Sequence, residues 1–250
     1  MQKEEKIAIV RQMMSNHPVL PVELFDANGK VYPGIREKLL KISDYMLEWF
    51  LPAFPQMKVL DVFLSGSMCS YIYNETSDLD LFVAVDDIVP QDENLSKKLL
   101  SNLNSYVFSL KAKPEFYKHP IDYGALLKND LRFLIANRYS LMKDKWMIKL
   151  QRQEFSYTPE ELFAAYCKFS ADFHQYVNNL PKVEGAFLTY ESANELRAKI
   201  SELGYNACIL KETSPEREYN MQYNIYRLFK RFGVYSHFNN YIAESLKKAG

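Results

Sequence analysis

Apolar residues recur at helical spacing from the start of the chain. Ile7, Val10, Met13 and Met14 share one face of residues 3–15 before Asn16-His17-Pro18 ends the run. A Pro-rich extended link through Pro18 and Pro21 leads to a turn at Asp26-Ala27-Asn28-Gly29-Lys30. From Pro33 to Phe50, apolar positions at Ile35, Leu39, Leu40, Ile42, Met46, Leu47 and Phe50 predict an amphipathic helix, broken by Pro52 and Pro55. Val59–Leu64 and Leu79–Val85 then read as strands. Leu95–Leu110 reads as a helix with Leu99 and Leu103 on its inner side, and Phe116–Leu127 as a further strand. Leu131–Ala136 is another strand candidate. Arg138–Met142 and Lys145–Ile148 pair as a hairpin across Lys143-Asp144.

After about residue 155 the pattern is wholly helical. Thr158 caps a helix that has Pro159 in its first turn and Glu161 at capping-box distance, and this helix ends near Asn179. Ser192–Leu203 follows, stopped by Gly204. Ser214-Pro215 starts a third helix carrying Tyr219, Tyr223, Tyr226 and Phe229, and Gly233 separates it from a last one at Ser236–Lys247. The class is therefore α+β: a mixed, twisted sheet of about four to six strands with flanking helices, then an all-helical domain. The expected division is 1–57 for N-terminal helices and linker, 58–154 for the sheet domain and 155–250 for the helical domain.

The chemistry concentrates between the first two strands. A strand has a side-chain period of two, so Asp78 and Asp80 point the same way while Leu79 and Leu81 face the core. Two parallel carboxylates repel unless a cation sits between them, and an all-oxygen site with few protein ligands suits magnesium. Gly66 allows close backbone approach to a ligand. Ser67 stands where free amides at the start of a helical turn favour a phosphate. Ser70 either supports this phosphate turn or is a small exposed residue. An anion cradle beside a paired-carboxylate metal site is what nucleoside triphosphate chemistry requires.

Gly66-Ser67, ten intervening residues and Asp78-Leu79-Asp80, with apolar strands on both sides, resemble the signature of the DNA polymerase β-like nucleotidyltransferase superfamily. The resemblance covers about Val59 to Val85 closely. It implies a nucleotidyltransferase fold for residues 58–154 and transfer of a nucleoside monophosphate from an NTP, ATP by default, with release of pyrophosphate and two Mg²⁺ ions, Mn²⁺ being an alternative. It implies that Asp78 and Asp80 bind both metals. Asp122, bracketed by Ile121 and Tyr123 on a later strand, would be the third carboxylate, binding the catalytic metal and drawing a proton from the attacking hydroxyl; Glu115 and Asp130 are its rivals. Gly66, Ser67 and Ser70 would be the nucleotide-binding residues. The acceptor, whether small molecule, protein or RNA, is left open. A catalytically silent nucleotide-binding or interaction module with the same fold is the alternative, and a nucleic-acid binder that requires a primer strand is a third.

Composition narrows this modestly. Apolar residues make up 48% and charged residues 25% of 250, ordinary for a chain with a real core and compatible with no membrane partner. The formal net charge of zero removes the global basic field common in nucleic-acid binders. Cys69, Cys167 and Cys208 are few and widely spaced, which suggests a reducing compartment. The four histidines show no zinc spacing. With no apolar leader pattern after Met1, the expected location is cytoplasmic. Arg138, Lys143, Lys145 and Lys149 surround the hairpin, and Arg227, Lys230 and Arg231 cluster on the third back-half helix. Each reads by default as a solvated charge, as the tyrosines of that helix read as core.

Overall fold

The computed structural model describes residues 2–89, 92–109, 115–183 and 186–249. Its elements in chain order are α1 (Lys3–Met13), α2 (Pro33–Phe50), β1 (Val59–Ser65), β2 (Leu79–Val85), α3 (Glu93–Ser109), β3 (Glu115–Phe116), β4 (His119–Leu127), α4 (Leu131–Leu134), β5 (Arg138–Ser140), β6 (Lys145–Ile148), α5 (Pro159–Asn179), β7 (Lys182–Val183), β8 (Phe187–Leu188), α6 (Tyr190–Thr213), α7 (Met221–Arg231) and α8 (Val234–Ala249). They divide into two compact units, residues 15–152 and residues 1–14 together with 153–250. The first helix thus clusters with the carboxy-terminal helices, and the segment from Ser15 to the first strand clusters with the sheet. Pro90 and Leu110, which the sequence places in a connection and at a helix end, lie outside the described residues.

The unit of residues 15–152 is built on a six-stranded mixed sheet in the order β3-β4-β2-β1-β5-β6. β1 pairs antiparallel with β2 and with β5, whereas β2 pairs parallel with β4. The parallel pair needs a crossover, and α3 supplies it. Alternation assigns the two faces. Leu79, Leu81, Val83 and Val85 of β2 are fully buried in one cluster with Leu39, Met46 and Phe50 of α2 and Leu100 of α3. Phe82 and Ala84 turn the other way, into a smaller cluster with Phe63, Leu126 and Phe133. β2 therefore buries both faces, as its continuous apolar run requires.

The outer edge of β4 is closed by a side chain. Asn104 of α3 donates from Nδ2 to the Ala125 carbonyl at 2.8 Å, and its Oδ1 accepts from the Ala125 amide at 2.9 Å. One amide group thus answers both backbone groups of a strand residue.

Three expectations change in this unit. Phe116–Leu127 is not one strand: Tyr117 and Lys118 adopt φ of 45° and 76°, folding β3 back onto β4. Leu131–Ala136 is not a strand: Leu131–Leu134 forms the short helix α4, where the Asp130 carboxylate accepts from the Arg132 amide at 2.9 Å and its carbonyl from the Phe133 amide at 2.9 Å. The predicted phosphate-turn helix is a single 3-10 turn, Ser67–Cys69. The hairpin of β5 and β6 forms as the sequence predicts, with Asp144 in its turn at φ 51°.

In the second unit, α1, α5, α6, α7 and α8 share a core that includes Val10, Phe163, Phe173, Leu196, Leu228, Phe229 and Phe238. The Thr158–Glu161 capping box is present: the Glu161 amide donates to Thr158 Oγ1 at 3.2 Å and the Thr158 amide to Glu161 Oε2 at 2.7 Å. Gly204 does not stop a helix. α6 begins after Thr189, whose Oγ1 accepts from the Ser192 amide, and runs through Gly204 to Thr213. A Cβ added at Gly204 would stand 2.8 Å from the Tyr226 hydroxyl, so a larger residue there would have to displace the end of that side chain. α7 starts at Asn220 rather than Ser214, with Asn220 Oδ1 accepting from the Gln222 and Tyr223 amides, and Ser214-Pro215 lead instead into a 3-10 turn at Arg217–Tyr219. Gly233 ends α7 at φ 76° as predicted. No helix among the described residues is long and apolar enough to cross a membrane.

Candidate functional site

β1 ends by delivering the chain to Gly66, whose φ of 74° and ψ of −160° form a combination essentially restricted to glycine. The carbonyls on either side of the following 3-10 turn are held from below by a buried amide. Asn137 Nδ2 donates to the Gly66 carbonyl at 2.9 Å and to the Cys69 carbonyl at 3.0 Å, while Ser65 Oγ donates to the Asn137 carbonyl at 2.7 Å. Ser70 is buried, and its hydroxyl works inside the turn, donating to the Ser67 carbonyl at 2.9 Å and accepting from the Ile72 amide at 3.3 Å. Ser67, at the head of the turn, is partly exposed.

The loop between this turn and β2 is tied at both ends. His17 stacks on Tyr73, ring centroids 4.0 Å apart, with its Nε2 3.0 Å from the Tyr73 carbonyl. The Asn74 amide donates to Ser77 Oγ at 3.0 Å, and His119 Nδ1 stands 2.6 Å from the Ser77 carbonyl. His119 opens β4, so it links the loop just ahead of Asp78 to the strand that carries Asp122.

The parallel register then sets the carboxylates. Leu79 lies opposite Ile121 and Asp80 opposite Asp122, while on the other side of β2 Asp80 lies opposite Ser65. Asp122, Asp80 and Ser65 form one row across three strands, neighbouring strands being about 4.8 Å apart. Leu79, Leu81 and Ile121 are fully buried beneath, so the row occupies the sheet face opposite α2 and α3. Asp80 and Asp122 are half-exposed on that face, and Asp78 is half-exposed immediately before β2. The Gly66 turn folds directly onto Asp80: a Cβ on Gly66 would fall 1.7 Å from Asp80 Oδ2 and 2.7 Å from its Cγ. The structure thus brings Gly66, Asp80 and Asp122 together, sets Asp78 and Ser67 at the margins and uses Ser70 internally.

The donor set is entirely oxygen, with no thiol or imidazole in the row, which suits a hard divalent cation. Among the described residues no three His, Cys, Asp or Glu side chains are gathered as a ready-made metal cluster. Magnesium does not require one. It is usually held by one or two carboxylates, with water and substrate phosphate completing the shell, and Asp80 and Asp122 are two carboxylates on adjacent strands in one register.

Of the rival carboxylates, Asp130 is engaged by Arg132, whose side chain reaches it at 2.8 Å. Burial pushes its carboxyl up, and the Arg132 hydrogen bonds and charge outweigh burial and hold it below the usual range. Glu115 is exposed on β3. Asp86 and Asp87, beyond the end of β2, are bridged by Lys128 at 2.7 and 2.8 Å. Asn137 is the participant that sequence reasoning does not find, since an asparagine ahead of a short strand carries no signal that its amide will reach back to Gly66.

Known proteins supply no further identification: no protein-family model, characterised protein or solved structure matches this chain.

Proposed function

We propose that residues 15–152 carry a magnesium-dependent nucleotidyltransferase of the polymerase β-like fold, which transfers a nucleoside monophosphate from an NTP to a hydroxyl acceptor. The observation that supports this most directly is the register pair Asp80–Asp122, with the Gly66 turn folded against Asp80. The resemblance of Gly66-Ser67 and Asp78-Leu79-Asp80 to the superfamily signature points the same way.

Asp80 and Asp122 would hold the cation, with Asp78 joining them from the loop before β2. When bound, such an ion neutralises charge developing on the α-phosphate and leaving pyrophosphate. Asp122 orients the acceptor hydroxyl and takes its proton. The turn at Gly66 and Ser67 receives the terminal phosphates on its backbone amides. Asn137 holds that turn rigid, so the phosphates meet a preorganised surface. Two rigid elements, turn and strand pair, thereby fix the NTP relative to the acceptor.

The test incubates the full chain with labelled NTPs and Mg²⁺ or Mn²⁺, following pyrophosphate release with self, small hydroxyl compounds and RNA as acceptors. Asp80→Asn and Asp122→Asn should each remove turnover while leaving the thermal transition in place. Turnover that survives in both variants refutes the assignment. NTP binding that depends on metal but never releases pyrophosphate would instead identify a silent binding module.

A further inference from the structure

The extended link marked by Pro18 and Pro21 is firmly anchored. Leu20, Leu24 and Phe25 are buried in the main core of the sheet unit, and Phe25 and Val31 form an antiparallel bridge. Between them, Asp26 Oδ1 accepts from the Asn28 and Lys30 amides at 2.8 Å each. The Gly29 carbonyl accepts from Trp146 Nε1 at 2.6 Å, and the Trp146 ring stacks on Phe25 with centroids 5.3 Å apart. Tyr71 is tied to the same segment, its carbonyl accepting from the His17 amide at 2.7 Å.

This segment, Tyr71 and Lys149 enclose a cavity of about 420 Å³, within the roughly 300–1,000 Å³ typical of small-molecule sites. Its wall includes Val19, Val22 and Tyr32, which are 52%, 65% and 40% exposed. Neighbouring apolar side chains left in water around a fixed concave surface mark a place where another molecule can take that area out of solvent. The wall also carries two charges, Asp26 and Lys149. The Asp26 carboxylate is turned into its own turn, where the Lys30 and Asn28 amides occupy it and hold it below the usual carboxylate range. Lys149 has no such engagement. Its Nζ stands over the Trp146 ring, 5.7 Å from the centroid, with no carboxylate in ion-pair reach among the described residues. Gly29, buried and at φ 74°, gives the ammonium its place, since a Cβ there would lie 3.0 Å from Nζ.

We propose that this cavity is a binding site for a small apolar carboxylic acid, its ring or chain set against Val19, Val22 and Tyr32 and its carboxylate on the Lys149 ammonium. The aliphatic and aromatic wall selects the body of the ligand. One ammonium beside an engaged carboxylate matches a single negative charge better than the nearly two charges of a phosphate. Because the segment is held by its own anchors, the site is formed before the ligand arrives, and little ordering is needed on binding. None of these residues belongs to the Asp80–Asp122 row, and the proposal does not rest on the nucleotidyltransferase reading.

The test titrates the full chain with 2-naphthoate, neutral 2-naphthalenemethanol and cationic 2-naphthylmethylammonium, one aromatic body with three charges. The readout is the indole N–H resonance of Trp146, one of two tryptophans in the chain, assigned with Trp146→Phe. The acid should move it saturably and bind about three- to tenfold more tightly than the alcohol, and the amine should bind most weakly. Lys149→Gln should abolish the preference for the acid while keeping the affinity for the alcohol. Val22→Asp should weaken both. Each substitution is at an exposed position, so the fold is preserved. The proposal is overturned if none of the three compounds moves the Trp146 resonance, if the amine binds as tightly as the acid, or if Lys149→Gln keeps the preference. Equal shifts by the acid in wild type and Val22→Asp would place it elsewhere and also overturn the proposal. So would a resonance that moves with protein concentration alone, which would seat a second copy of the chain in the cavity.

Discussion

Replacing Gly66 with alanine probes the turn and the carboxylate pair together. The backbone at φ 74° and ψ −160° admits glycine and little else, so the methyl group alone imposes about 1–3 kcal/mol of strain. The side chain then meets Asp80, since the new carbon would lie 1.7 Å from Oδ2, far inside contact distance. Either the turn lifts or Asp80 leaves its rotamer, and both outcomes separate the Gly66 turn from the Asp80 carboxylate. For a chain of this size the strain corresponds to a fall in melting temperature of roughly 2–12 °C. The effect on turnover should be far larger than that loss of stability explains, because the geometry lost is that of the site. Gly34→Ala is the control: nothing lies within 4 Å of a Cβ there, and an alanine in α2 should stabilise by up to about 1 kcal/mol. Thermal melts of both variants alongside pyrophosphate-release assays decide the matter. Gly66→Ala with wild-type turnover would refute the view that close approach of this turn to Asp80 belongs to the site.

Other residues give sharper readings of stability. Asn137→Ala leaves the Gly66 and Cys69 carbonyls without their shared donor, which should cost about 1–3 kcal/mol for each carbonyl left unpaired and loosen the turn; urea denaturation measures the first and the KM for NTP the second. Phe229→Ala empties the ring site against Phe169, Phe173 and Phe238 and should destabilise the helical unit by about 3–5 kcal/mol, read by calorimetry. Glu212 is buried beside Lys211, Arg217 and Glu218, and burial raises its carboxyl above the ordinary 4.5 despite the two cations. A carboxyl raised by folding contributes stability that is complete below pH 4.5 and declines as pH rises through the folded value. Glu212→Gln should therefore gain on wild type in melting temperature between pH 4 and pH 7. An unchanged difference across that range would contradict the buried acid.

Much of the sheet is legible in the sequence because its signals are local. Alternation at Leu79, Leu81, Val83 and Val85 suffices to predict β2, and Thr158 with Glu161 suffices to predict the start of α5. The failures occur where tertiary contacts decide. Gly204 has the look of a helix stop, but α6 runs through it with the Tyr226 hydroxyl packed alongside. Ser214 and Asn220 are both capable caps, and nothing local shows that the chain uses the second. Tyr117 and Lys118 turn the chain at positive φ without a glycine, so an apolar-rich run reads as one strand instead of two. The site divides in the same way. Asp78 and Asp80 declare themselves through the period of two, and Gly66 through the need for a special backbone. That Asp122 lies abreast of Asp80 depends on register across the α3 crossover, which spacing alone does not dictate. The reach of Asn137 back to the Gly66 turn is a product of three-dimensional packing and leaves no mark in the pattern.

The bond pair between Asn104 and Ala125 has a consequence for how copies of this protein meet one another. Among the described residues β3 pairs with β4 only at His119 and Pro120, and an unpaired stretch of strand margin is a landing strip for a foreign strand. Asn104 occupies the strip at Ala125 with a single side chain that mimics a neighbouring peptide group. It turns a surface that could seed sheet extension into one that is already spoken for. A leucine at this position would leave the helix intact and the margin open, and self-association that rises with concentration is the expected result. The residue at this margin thus bears less on one molecule's folding than on keeping many molecules apart.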